Sequence, residues 1–327
     1  MNQTVYVDRK YIKLTGEKKQ LIFHTEEGQR TSLPFRLIDR LIIHGHCLID
    51  TWLLGKLSEN DITTVLLSSL RAKQAAVING KQHNDASLHI RQYQFYKEAQ
   101  LSLIASKRIV KAKLLRQYRQ LKKMQQQLPE HRKVFFHACA SLWPLTEAVL
   151  TVNNKAQLLG IEGTGARIYF AAYSRLFPKE MNFTRRQKRP PSDPVNAMLS
   201  LSYTLFSSRC TQALNSVGLD PYIGFYHSIN YSRKSLAADM IEPWRPLIDS
   251  FVYLLFKNQQ ITVDMFNYKG SSCLLNKEGR SHFYPAFEHE MKVWQKGINR
   301  MARFMVKELE QQIPDIKNRS NHLSIDI

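Results

Sequence analysis

Acidic side chains are in short supply in this sequence: 27 Asp and Glu stand against 47 Lys and Arg, a formal charge of +20 over 327 residues. A chain so charged attracts polyanions. Cysteine is scarcer. Cys47, Cys139, Cys210 and Cys273 lie 63 residues or more apart, with no CxxC, which excludes a zinc ribbon and offers no disulfide framework. Long apolar runs are missing too. Stretches such as PLIDSFVYLLF are short and carry charge, so no bilayer-spanning segment is expected. MNQTVYVDRK has no apolar core of a signal peptide, and the expectation is a soluble, cytoplasmic protein with no membrane partner.

What is present is uneven. Residues 1–90 carry +3 and residues 91–327 carry +17, so a polyanion should be held chiefly by the later part. The early part alternates apolar and polar residues in TVYVDRKYIKL and QLIFHTEE, with TGEKKQ as a turn between them. ENDITTVLLSS and QAAVING continue in the same style, and HCLIDTWLLGKLSEN reads as one short helix. A small sandwich or roll fits residues 1–80, and polar NGKQHND places a linker at 81–88.

Beyond it the chain turns helical. No Gly or Pro interrupts 88–128, where Val110, Leu114, Tyr118 and Leu121 form a buried-type stripe. Helical patterns return at 134–152, 162–178, 194–217, 235–257 and 284–312, and Asp193-Pro194 opens one of them as a cap followed by proline. The fold class expected is α+β: a β-sandwich-like N-terminal domain, then a larger all-α domain over 89–312 and a loose tail at 313–327.

Three stretches carry chemistry. HSINYSRKSLAADMIEPWRP (227–246) gathers His227, Asp239 and Glu242 where two prolines break a helix that Ser235 is expected to cap. Oxygen donors with one imidazole suit a divalent cation such as Mg²⁺ or Mn²⁺; solvated surface acids are the other open reading. LLGIEGTGARIYFAAY (158–173) puts Glu162 among glycines at what reads as a helix start, where the dipole alone favours an acid. Its glycines match neither GxxxxGK[ST] nor GxGxxG, which sets aside a nucleotide-hydrolysing P-loop. KRIVKAKLLRQYRQLKKM (107–124) holds eight cations and no acid, and RRQKRPP (185–191) is a second basic cluster; both suit phosphate contacts, and Tyr93, Phe95, Tyr96 and Tyr118 are stacking candidates. A cation site beside a basic surface points to phosphodiester chemistry on nucleic acid.

These blocks, in order, resemble the CRISPR-associated adaptation integrase family, the catalytic subunit of spacer acquisition. The resemblance runs through LIIHGHCLIDTWLLGKLSENDITTVLLS, GIEGTGARIYFAAY, RPPSDPVNAMLSLSYTLF, GLDPYIGFYHSINYSRKSLAADMIEPWRPLID and DMFNYKGSSCLLNKEGRSHFYPAFEHEM, roughly residues 4–310. It implies a metal-dependent DNA endonuclease and integrase with a β-sandwich N-terminal domain. It also implies Glu162, His227 and Glu242 as ligands of Mg²⁺ or Mn²⁺, with Asp239 as a further acidic site residue. Expected partners are double-stranded and 3′-overhang DNA, a second copy of the chain, and a small dimeric adaptation protein. Arg167, Arg233 and Arg245 in the matched blocks, with Arg186, Lys188, Arg189, Lys107, Lys111, Arg116 and Lys122, are the DNA-binding candidates. SSLRAKQAA departs from the family, having Ser69-Leu70 where a glycine precedes the arginine. Rival readings are an integrase of a self-mobilising element, a catalytically inactive nucleic-acid-binding scaffold, and a member linked to a reverse transcriptase.

Overall fold

The strand-forming and helix-forming halves anticipated from periodicity are both present in the computed structural model, which describes residues 3–8, 11–67, 74–80, 85–187 and 190–313. Ser69-Leu70, residues 81–84 of the 81–88 linker, Lys188, Arg189 and the tail beyond 313 lie outside the described residues. The N-terminal elements are β1 (Gln3–Val7), β2 (Ile12–Glu17), β3 (Gln20–His24), β4 (Arg30–Pro34), β5 (Ile38–His44), β6 (Cys47–Ile49), α1 (Thr51–Glu59), β7 (Thr63–Leu67) and β8 (Gln74–Ile78). They form two four-stranded sheets, β1-β5-β7-β8 and β4-β3-β2-β6. β5 pairs in parallel with β1 and β7, which bury it and explain the apolar run LIIH; β2, β3 and β4 are antiparallel. Leu14, Leu21, Leu41, Leu53 and Leu57 are fully buried in one cluster. HCLIDTWLLGKLSEN is a strand and a helix rather than one helix: Asp50 accepts from the Trp52 amide and so starts α1 only after β6 has paired with β2.

The helical part contains α2 (Ala86–Lys97), α3 (Ala99–Gln127), α4 (Arg132–Thr151), α5 (Lys155–Tyr173), α6 (Pro194–Ser216), α7 (Ser235–Ile241) and α8 (Arg245–Lys257). A hairpin follows, β9 (Phe266–Lys269) and β10 (Ser272–Leu275), which the sequence reading did not anticipate, and then α9 (Lys277–Gln312). The uninterrupted 88–128 segment is two helices, broken at Glu98 with φ −72° and ψ 101°. At α6 the cap holds: Asp193 Oδ1 accepts from the Asn196 amide at 2.8 Å, and Gly218 takes φ +80° beyond the far end.

The chain divides into two units that are not consecutive. One takes residues 1–82, 187–208 and 255–293, the other 83–186, 209–254 and 294–327. The expected division at 81–88 lies at the first of these crossings, but the strand-bearing unit also collects segments from the region read as wholly helical. Pro129–Thr151 is long and apolar enough to cross a membrane, which the sequence reading had not expected of any stretch. It also spaces buried Phe135, Ala138, Cys139, Leu142, Thr146 and Val149 as an amphipathic helix does against a partner.

Candidate active site

Four elements of the second unit supply the site. Glu162 comes from the middle of α5, not from its start: Asn154 caps that helix, its Oδ1 accepting from the Gln157 amide at 2.9 Å. Three glycines weaken helix propensity here, and tertiary packing overrides them. A Cβ on Gly165 would stand 2.3 Å from Leu114 Cδ2, so this glycine lets α5 pack on α3; Gly160 and Gly163 face open space. Glu242 follows α7 in a short 3₁₀ turn, Glu242–Trp244, before α8 begins at Arg245. Ser235 is the first helical residue and not the cap; its hydroxyl donates to the Ser228 carbonyl, and Lys234 holds the capping position.

The loop before α7 is tied to Asp239. This carboxylate is fully buried and accepts from the amides of Phe225, Tyr226 and His227 at 2.6, 2.9 and 2.9 Å. It also meets His227 Nδ1 at 2.7 Å. A carboxylate on Nδ1 fixes the ring and leaves Nε2 as the outward nitrogen. Nε2 stands 3.9 Å from Glu242 Oε1. Asp239 therefore positions the imidazole, and its oxygens are already engaged. Gly224 is required for this turn, since a Cβ there would meet Ser235 and Asp239 at 2.6–2.9 Å.

Lys113 closes the cluster. Its ammonium donates to Glu162 Oε1 and, at 2.6 Å, to Glu242 Oε2; the Lys113 and Glu242 side chains are 7% and 5% exposed. Arg245 Nε donates to Glu242 Oε1 at 2.8 Å. Burial by itself would raise the Glu242 pKa, but Arg245 and Lys113 outweigh it and hold the carboxyl far below its usual range. Burial likewise pulls Lys113 down, and Glu242 and Glu162 more than restore it, so its ammonium is held above the ordinary lysine value. The buried Tyr226 hydroxyl has no hydrogen-bond partner among the described residues, and burial, then Glu162, Glu242 and Asp239, push its pKa up.

Glu162, His227, Glu242 and Asp239 are thus brought together as expected. Among the described residues no three His, Cys, Asp or Glu side chains are grouped tightly enough to ligate one ion as they stand. The reason is visible: a lysine ammonium occupies the space between the two glutamates. Two carboxylates and an imidazole with Nε2 available are nevertheless the donor set of a Mg²⁺ or Mn²⁺ site, and a cation already sits among them. Lys113 was read with the basic run, yet it shares the helix face of Val110, Leu114, Gln117 and Leu121, all buried. A lysine on an apolar stripe was the available signal.

The DNA-binding candidates divide. Arg167, Arg233 and Lys122 are exposed, with Lys122 5.9 Å from the Tyr118 ring. Others are engaged within the protein. Arg116 Nη1 donates to the Pro243 carbonyl at 2.8 Å, and its guanidinium lies over Trp244; Lys107 donates to the Leu150 carbonyl at 2.9 Å, and Lys111 is 3.9 Å from Glu147. Arg186 is half-buried with protein partners, and Arg245 serves Glu242. Phe95, a stacking candidate, is a core residue against Phe225, centroids 4.8 Å apart.

Two carboxylates thus share a buried ammonium, with an imidazole beside one of them, in a unit that also carries the exposed cations Arg167, Arg233 and Lys122. The family described as CRISPR associated protein Cas1 matches residues 5–289. A CRISPR-associated endonuclease Cas1 of Thermodesulfovibrio yellowstonii is 34% identical over 316 residues, covering 93% of this chain and 98% of that protein. Among solved structures, a casposase bound to integration product aligns with TM-score 0.83 at 22% identity, over 96% of this chain and 92% of that one. A Cas6-RT-Cas1–Cas2 complex aligns with TM-score 0.84 at 20% identity, over 95% of this chain and 35% of that one. The chain belongs to the Cas1 family.

Proposed function

We propose that this protein is a metal-dependent DNA endonuclease and integrase of CRISPR spacer acquisition, joining the 3′-hydroxyl of a short DNA fragment to a phosphodiester at a repeat boundary. The observation that carries the reading is that Glu162 and Glu242 share one buried ammonium while His227 Nε2 stands 3.9 Å from Glu242. Glu162, His227 and Glu242 would hold Mg²⁺ or Mn²⁺, which supplies Lewis-acid polarisation of the phosphoryl oxygen and stabilises an attacking oxyanion. Asp239 keeps Nδ1 of His227 occupied, so that Nε2 is presented in one tautomer. Lys113 keeps the two glutamates together and would have to withdraw from between them for both to hold an ion. Exposed Arg167, Arg233 and Lys122 contribute phosphate contacts.

Relatives bearing the endonuclease name support the activity, and the Cas1–Cas2 complex formed by a structural neighbour supports a partner of the Cas2 kind; that this partner is small and dimeric, and that a second copy of this chain takes part, belong to the same proposal. The reading over a self-mobilising element rests on the 34% identical relative being CRISPR-associated. The test is strand transfer of a labelled short duplex into a repeat-bearing plasmid, with and without divalent metal and the small partner. His227→Ala and Glu162→Gln should abolish metal-dependent joining while retaining DNA binding. Undiminished joining by His227→Ala overturns the site.

A further inference from the structure

Lys155 is the first residue of α5, the helix that carries Glu162. A cation there faces the positive end of the helix dipole, which disfavours it. It is also half-buried, and burial lowers its pKa. The charge that opposes this lowering is the fully buried Asp239 carboxylate.

A chain of hydrogen bonds joins the two. The Lys155 ammonium donates to Ser102 Oγ at 2.7 Å, and the Ser102 hydroxyl donates to the Phe225 carbonyl at 3.1 Å. The Phe225 carbonyl and the Tyr226 amide belong to one peptide group, and that amide donates to Asp239 Oδ2 at 2.9 Å. Asp239 Oδ1 then meets His227 Nδ1 at 2.7 Å. Ser102, Phe225, Tyr226 and Asp239 are all buried, so water does not compete for the links. Bonds in such a chain polarise one another, each strengthening its neighbour by roughly 10–30%.

Neighbouring donors do not replace Ser102. The Ser106 hydroxyl stands 3.0 Å from the Phe225 carbonyl but 2.6 Å from the Ser102 carbonyl, with one proton for the two. Gln92 Nε2 holds the earlier part of the loop, donating to the carbonyls of Asp220 and Ile223 at 2.8 and 2.9 Å. The stem of Lys155 has a separate contact, its ammonium lying 5.7 Å from the Tyr96 ring. A role in packing alone would need that stem and not the charge.

We propose that Lys155 is a positioning residue for His227, acting through Ser102 and the Phe225–Tyr226 peptide group to set the Asp239 carboxylate against Nδ1 and present Nε2. Helix α5 then supplies both Glu162 and the cation that orients the imidazole. The proposal rests on the reading of His227 as a metal ligand.

Two measurements on the full chain test it. The first is the ¹⁵N spectrum of the histidine rings in EDTA, with the His227 signals assigned by their loss in His227→Ala. The wild type should show one tautomer, with the proton on Nδ1. Lys155→Met, which keeps the stem, and Ser102→Ala should each bring in the other tautomer, while Lys155→Arg, which keeps the charge, should restore the wild-type pattern. The second is calorimetric titration with Mn²⁺. Lys155→Met and Ser102→Ala should each weaken it about tenfold, the low end for partners that stand behind a ligand. The double variant should lose no more than the larger single loss, because both residues act along one chain. Wild-type ring signals in both single variants overturn the proposal, even where Tm falls, since that marks a role in packing alone. Losses of Mn²⁺ affinity that simply add in the double variant overturn it too. If the wild type binds no Mn²⁺, the metal reading fails, and the ring signals in EDTA still decide whether Lys155 positions His227.

Discussion

Replacing Lys113 by methionine keeps the stem and deletes the ammonium between Glu162 and Glu242. The pair with Glu242 is 2.6 Å long and almost wholly out of water, with side chains 7% and 5% exposed. At an effective dielectric constant near 20, a pair this close attracts by roughly 6 kcal/mol before desolvation is charged against it. Breaking a buried pair from one side costs about 3–5 kcal/mol. Arg245 remains on Glu242, and Glu162 is 21% exposed, so the low end applies: about 3 kcal/mol. For domains of this size that is a fall in Tm of about 6–12 °C in EDTA. The same deletion removes the cation that competes with metal. Mn²⁺ at a hundred times its Kd adds about 2.7 kcal/mol, so Lys113→Met should regain much of its loss, and its metal-induced rise in Tm should exceed that of the wild type. Thermal denaturation of both proteins in EDTA and in Mn²⁺ decides the matter. A variant within 2 °C of wild type in EDTA refutes the electrostatic argument, by the same scale of ~2–4 °C per kcal/mol. An equal metal-induced rise in both proteins refutes the shared site.

Gly165→Ala must move Leu114, at an expected cost of about 1–3 kcal/mol from overpacking against about 1 kcal/mol gained in helix propensity; the net is a lower Tm. Gly163→Ala meets nothing within 4 Å and should raise Tm, by about 1 kcal/mol; a fall would mean that α5 is strained at that position. Glu242 has its folded pKa depressed below the ordinary glutamate value of 4.5, so its contribution is present above that pH and is lost as pH falls toward the folded value. The stability gap between wild type and Glu242→Gln, followed by chemical denaturation, should therefore narrow below about pH 4.5 and stay constant from 6 to 8. Lys122→Glu should weaken DNA binding without regard to sequence and flatten its log–log salt dependence by about 1, measured by fluorescence anisotropy. Charge reversal at Arg116 should also lower Tm, because that guanidinium holds the Pro243 carbonyl.

Patterning alone determined a good deal. Alternation in TVYVDRKYIKL and QLIFHTEE, the turn at TGEKKQ, and the cap at Asp193-Pro194 act over a few residues, and strands, turn and helix start are found there. The family was also legible, since ordered blocks carry it whatever the packing. What the chain's local chemistry did not contain was decided by distant partners. Glu162 reads as a helix-start acid until Asn154 is seen to begin α5 a full two turns earlier and Leu114 to require Gly165. Lys113 reads as one more phosphate contact until α5 and the turn after α7 bring two carboxylates to it. The division into units likewise follows contacts between segments far apart in sequence, among them 187–208 and 255–293 joining the strands. Burial is the physical reason: a charge's role depends on whether water or another charge faces it, and only the assembled fold settles which.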